Sequence, residues 1–221
     1  MTQKFTILFD LDGTLIDTAP DLIRAHNHVM KKFGYPTKKL GELKNAVGKG
    51  AKAMMAKANG QWKWFDEKIQ NEMTNEFLSY YGENIFHESK LINGVKEFLN
   101  WCKRENISMA VCTNKTEHLA VDLLKKIGIY DYFEYVAGYN TFEYCKPDPR
   151  HLTTIIEILD GDINKSIMIG DSETDANAAK AAEIPIILLK YGYTEKKSSE
   201  IYHNHLVKDF VGIEKIITEY L

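Results

Sequence analysis

Phe5-Thr6-Ile7-Leu8-Phe9-Asp10-Leu11-Asp12-Gly13-Thr14-Leu15 runs from an apolar segment straight into two carboxylates and a glycine. Residues 5–9 are bulky, and all but Leu8 are aromatic or β-branched, which suits a strand covered on both faces. Four further short apolar runs, at 107–112, 135–137, 166–169 and 185–189, alternate with helix-like stretches. That alternation predicts a parallel sheet of five strands with helices on both faces. Several runs end in polar residues: the first in Asp10, the second in Thr113 and Asn114, the fourth in Gly170 and Asp171. Open α/β sheets bind ligands beyond the carboxyl ends of their strands, so these residues are predicted to converge on one site.

The stretch between the first two strands is too long for a single crossover helix. Thr18, Pro20 and Asp21 make a helix start, with Thr18-x-x-Asp21 fitting a capping box, and apolar spacing continues to about Phe33. Further helical stretches near 40–46, 50–58 and 64–81 predict an inserted helical unit over 16–84, a cap on a core formed by 1–15 and 85–221. No internal repeat or low-complexity segment interrupts the chain.

The 221 residues are 44% hydrophobic and 27% charged, enough for one substantial domain and a smaller one. The net charge of -3 provides no basic field for nucleic acid, and no apolar run is long enough to span a bilayer. A cytoplasmic protein acting on a small molecule, as monomer or homodimer, is expected. Cys102, Cys112 and Cys145 are odd in number and lack metal-site spacing, so reduced and mostly buried thiols are expected. Val47-Gly48-Lys49-Gly50 lacks the glycine and the hydroxyl residue that a P-loop needs. His26-x-His28 and His203-x-His205 have poor spacing for a shared metal, and Trp62, Trp64 and Phe65 read as packing within the cap.

Asp10 and Asp12, one residue apart at a strand end, can point to the same side, with Gly13 permitting a tight turn. Together they can hold a hard cation such as Mg²⁺, which would screen a carboxylate nucleophile from the charge of a phosphate ester. Asp10 could then take up the phosphoryl group, while Asp12 would protonate the leaving oxygen and later accept a proton from water. The same residues also suit a plain polar turn.

Asp-x-Asp-Gly-Thr-Leu after a buried first strand resembles the signature of haloacid dehalogenase superfamily phosphatases, and three further motifs of that superfamily follow in order across essentially the whole chain. The resemblance implies a Rossmann-like core with a helical cap, and Mg²⁺ as cofactor. It implies that Thr113 and Asn114 bind phosphoryl oxygens, although Asn114-x-x-Glu117 also fits a capping box. Lys146, in Cys145-Lys146-Pro147-Asp148-Pro149, resembles the lysine that pairs with the nucleophile and the phosphoryl group. Asp171 and Asp175 resemble the motif whose first acid binds magnesium and whose second supports the site, and Ser172-x-x-Asp175 is itself a capping box. The implied metal set is thus Asp10, Asp12, Asp171 and Asp175.

Asp17-Thr18-Ala19-Pro20-Asp21-Leu22 and Val47-Gly48-Lys49-Gly50-Ala51 are similar to phosphoglycolate phosphatases within the superfamily. Lys49 and Gly48 are therefore expected to bind substrate, with Lys49 meeting a carboxylate. The expected activity is hydrolysis of a small phosphate monoester, 2-phosphoglycolate foremost. A sugar-phosphate mutase, a phosphatase for another metabolite and a silent phosphate-binding regulator are the alternatives. A dehalogenase would leave Asp12 without work, because a departing halide needs no proton.

Overall fold

The computed structural model describes residues 3–39, 41–43, 50–58, 67–194 and 196–221. Its main sheet is built from β1 (Thr6–Phe9), β4 (Ser108–Cys112), β5 (Tyr135–Ala137), β6 (Ser166–Gly170), β7 (Ile186–Leu189) and β8 (His205–Val207). All pairings are parallel, in the order β5-β4-β1-β6-β7-β8. Residues of β1 alternate between two apolar clusters. Ile7 and Phe9 face α4 (Val95–Arg104), α5 (Glu117–Ile127) and α8 (Ile213–Thr218), whereas Leu8 faces α6 (Arg150–Ile158) and α7 (Glu173–Ala181). This is the period-two alternation of a strand sandwiched between helix layers.

The sheet has six strands where five were expected. The sixth, β8, pairs Ile187–Leu189 with His205–Val207 at the sheet edge, and its three residues are only half-buried. A short, edge-exposed His-Leu-Val in a polar stretch lacks the continuous apolar run that marks the inner strands.

Register places the chemistry. Phe9 lies beside Val111 on one side and Ile169 on the other, so the chain leaves all three central strands at the same level. Asp10, Thr113 and Asp171 therefore emerge at one edge. Cys102 and Cys112 are buried, Cys145 is partly so, and all three are free thiols.

Between β2 (Ile16–Asp17) and β3 (Lys90–Leu91), which pair antiparallel, the chain forms α1 (Ala19–Lys32), α2 (Ala51–Ala58) and α3 (Glu67–Glu83). Helix α3 packs on both α1 and α2. The capping box expected at the start of α1 does not form. Thr18 is already in helical conformation and makes no cap bond; its hydroxyl instead donates to Asp12 at 2.6 Å. Asp21 is turned away as well. Its buried carboxylate accepts backbone N–H bonds from His87, Glu88 and Ser89, a hydroxyl bond from Ser89 at 2.6 Å, and an ion pair from Arg24 at 2.9 Å.

Burial alone would raise the Asp21 pKa, but these donors outweigh it and hold the carboxyl below its ordinary value. A depressed carboxyl contributes stability above its unfolded pKa that is lost as pH falls. Asp21→Ala is expected to lower urea stability by about 2–4 kcal/mol at neutral pH, because it leaves the buried Ser89 N–H and hydroxyl and the part-buried N–H groups of His87 and Glu88 without their acceptor, and by less near pH 3. An unchanged urea midpoint at neutral pH would remove Asp21 as the tie between α1 and the approach to β3.

Candidate active site

Asp10 follows β1 directly, and the tight turn after it depends on Gly13. Gly13 has φ +87°, and a Cβ there would lie 2.5 Å from Asp171 Oδ2. The close approach of Asp171 thus needs a residue without a side chain.

Lys146 lies between two acids. Its Nζ donates to Asp10 Oδ1 at 2.8 Å and to Asp175 Oδ1 at 2.6 Å. Its backbone is fixed from two sides: the N–H donates to His151 Nδ1, and the carbonyl accepts from Asn114 Nδ2 at 2.8 Å. Asn114 is therefore a brace for the lysine loop and does not cap α5, whose N-cap is Thr116. The expected Asn114–Glu117 capping box is absent because Glu117 is drawn instead to the Thr141 hydroxyl at 2.6 Å.

Asp175 does double duty. While Oδ1 meets Lys146, Oδ2 accepts from the N–H and hydroxyl of Ser172, completing the capping box of α7. Asp171 is held by the Thr14 hydroxyl at 3.0 Å and the Tyr193 N–H at 2.6 Å. Carboxylate oxygens of Asp10, Asp171 and Asp175 all lie within 4.8 Å of one another, and all three residues are buried. A cluster of hard oxygen donors of this kind can hold a divalent cation.

Asp12, grouped with these acids from sequence, has its carboxylate elsewhere. It accepts from Lys115 Nζ at 2.9 and 3.0 Å as well as from Thr18. Thr113 is buried beside it, with Oγ1 accepting from the Lys115 N–H. A cavity of about 400 Å³ opens above these groups, with Leu22, Met54, Phe77 and Leu78 of the helical segment as its apolar wall. Gly48 and Lys49 lie outside the described residues.

Lys115, Thr14 and Tyr193 were not singled out from sequence, and Thr18 was read there only as a helix cap. Lys115 had a signal, being a cation directly after Thr113-Asn114. Tyr193 had none, since only folding brings it to Asp171 across 22 residues of chain.

The Asp10 carboxyl is pushed up to about 6: burial raises it most, Lys146 pulls it down, and the charges of Asp175 and Asp12 add to the rise. Burial, then the charges of Asp10 and Asp175, raises Asp171 well above the carboxylate range. Burial works against the Lys146 charge, but Asp10 and Asp175 outweigh it and hold the ammonium above the ordinary lysine range. The three acids are thus under-compensated by one lysine, which is the electrostatic condition a bound cation relieves.

An acid whose folded pKa is raised favours the fold while protonated, and its ionisation costs stability as pH rises through that pKa. In metal-free buffer, Asp10→Asn is therefore expected to gain stability over the native chain as pH rises from about 4 to about 7, by as much as roughly 3 kcal/mol. A pH-independent difference in urea stability would contradict this.

An open parallel sheet carrying a carboxylate–lysine centre at its carboxyl edge defines a doubly wound α/β protein with a catalytic-type site. The chain belongs to the haloacid dehalogenase-like hydrolase family, whose model matches residues 7–189. It is 35% identical over 216 residues to a phosphoglycolate phosphatase of Mesorhizobium japonicum, covering 97% of this chain and 95% of the relative. A phosphoglycolate phosphatase of Agrobacterium fabrum is 37% identical over 215 residues, covering 97% and 92%. Among solved structures, a predicted phosphoglycolate phosphatase from Haemophilus somnus superposes with a TM-score of 0.91 at 29% identity, covering 98% of this chain and 99% of that one.

Proposed function

We propose that this chain is a Mg²⁺-dependent phosphatase that hydrolyses 2-phosphoglycolate through a phosphoryl group carried transiently on Asp10. The observation that carries the chemistry is the placement of Asp10, directly after the central strand, 2.8 Å from a buried ammonium and lining a cavity of about 400 Å³. The relatives' names support the substrate.

In this reading Asp10 attacks phosphorus with one carboxylate oxygen as the bond to the ester oxygen breaks. Lys146 offsets the charge on the nucleophile and on the transferring oxygens, and Asp175 and Asn114 hold Lys146 in place. The Thr113 hydroxyl and nearby backbone N–H groups receive the phosphoryl oxygens. Asp12 gives its proton to the departing oxygen and then takes one from the water that attacks phosphorus, regenerating Asp10 and releasing phosphate. Asp10 and Asp171 would hold the metal, with Asp175 beside them, whereas the Asp12 carboxylate is engaged by Lys115 and Thr18. When bound, Mg²⁺ supplies positive charge that lets an anionic nucleophile approach an anionic ester.

Segment 16–84 acts as the cap in this proposal, its apolar wall excluding bulk water, and Lys49 and Gly48 are proposed to bind substrate. No described helix is long and apolar enough to cross a membrane, and free thiols suit a reducing compartment, so the proposed place of action is the cytoplasm.

Phosphate release from 2-phosphoglycolate, sugar phosphates, nucleotides and a chromogenic aryl phosphate tests the proposal. 2-Phosphoglycolate is expected to give the highest kcat/KM, exceeding the aryl ester about 100-fold or more, with turnover lost in chelator and restored by Mg²⁺. Equal rates across the panel would sink the substrate assignment. Full activity in chelator would sink the metal assignment.

A further inference from the structure

We infer that Lys115 is a specificity-determining residue that binds the carboxylate of the substrate, exchanging Asp12 for it. This assignment rests on the phosphatase reading above and deepens it.

Three lysines line the cavity among the described residues: Lys52, Lys115 and Lys146. Lys146 is committed to Asp10 and Asp175, and Lys52 is exposed. Lys115 differs from both. Its side chain is only 5% exposed, so an anion reaching its ammonium meets a poorly screened charge. The face of the Tyr81 ring lies 4.5 Å from Nζ and helps hold the ammonium in the cavity.

The present partner shows what chemistry fits. Asp12 offers a carboxylate whose two oxygens sit 2.9 and 3.0 Å from Nζ, so a planar carboxylate engaging with both oxygens already matches this ammonium. A substrate carboxylate taking that place would leave Asp12 held by the Thr18 hydroxyl and free to turn towards the ester oxygen.

A second observation points to a ligand here. Asn114 Oδ1, Thr116 Oγ1 and the Tyr81 hydroxyl are buried without hydrogen-bond partners, and all three residues line this cavity. Among the described residues eight buried side-chain polar atoms lack a hydrogen-bond partner, and these three gather at one cavity; such a gathering marks a place where something polar can bind. Short esters that carry a second polar group suit that arrangement, and a plain alkyl phosphate does not.

The test is the ratio of kcat/KM for 2-phosphoglycolate to that for ethyl phosphate, which lacks the carboxylate, in the native chain and in Lys115→Gln and Lys115→Met. Glutamine keeps a donor for Asp12 while removing the charge, and methionine keeps the apolar stem. Circular dichroism identifies which variants fold, and either one suffices. In a folded variant the ratio is expected to fall about 10- to 100-fold, mainly through KM for 2-phosphoglycolate. A variant in which both esters lose the same factor, leaving the ratio unchanged, would overturn the assignment and reduce Lys115 to a support for Asp12. A native chain with no preference for 2-phosphoglycolate would overturn the substrate reading itself, and this inference with it.

Discussion

Asp10→Asn is expected to abolish phosphate release, with kcat falling by about 10⁴-fold or more, while the protein folds and melts at a higher temperature in metal-free buffer. The amide is nearly isosteric with the carboxylate but cannot attack phosphorus. It also carries no charge, and the native carboxylate is strained by its surroundings: burial and the charge of Asp175 hold its pKa near 6 despite Lys146. Activity and stability should therefore move in opposite directions, as at sites built for chemistry at some cost in stability. Rates from phosphate release and melting curves from calorimetry check both halves. Loss of activity together with a large drop in melting temperature would instead describe a structural residue.

Lys146→Met is expected to cost both activity and stability. The Lys146 side chain is 2% exposed and its ammonium is bonded to two carboxylates, so its removal leaves Asp10 and Asp175 facing each other in a buried space beside Asp171. Breaking a buried ion pair from one side costs about 3–5 kcal/mol at neutral pH. The penalty should shrink at about pH 5, where Asp10 regains a proton more readily, which separates a charge effect from a packing one. The rate of phosphate release is expected to fall by roughly 10³-fold even with saturating Mg²⁺, since no other described side chain bonds Asp10 and offsets the transferring charge from this position. A variant as stable as the native chain at neutral pH would show that the three acids do not depend on this lysine.

Much of the core was legible because buried parallel strands leave continuous apolar runs, and because several of those runs lead into polar residues where the sheet meets solvent. Asp10, Thr113 and Asp171 follow from that pattern alone, and the register of β1 with β4 and β6 brings them to one level. Strand β8 was missed because an edge strand of three half-buried residues carries almost no pattern.

The capping boxes show the limit of local reading. Three Ser/Thr/Asn-x-x-acid sequences looked alike, yet only Ser172–Asp175 caps its helix. Thr18, Asp21 and Asn114 are recruited over longer distances by Asp12, the 87–89 backbone and the lysine loop, and local spacing does not register those claims. The Lys115–Asp12 pair was hidden for the same reason, being joined across 103 residues of chain.

The most direct test of the central claim is to look for the phosphoryl group on Asp10. The native protein with Mg²⁺ and 2-phosphoglycolate would be quenched in acid within a single turnover, digested, and its peptides weighed by mass spectrometry. One phosphoryl group on the peptide containing Asp10, absent from Asp10→Asn and discharged on longer incubation, is the result predicted here. Full phosphate release with no label on that peptide at any quench time would contradict it, and would leave Asp10 without the role of nucleophile.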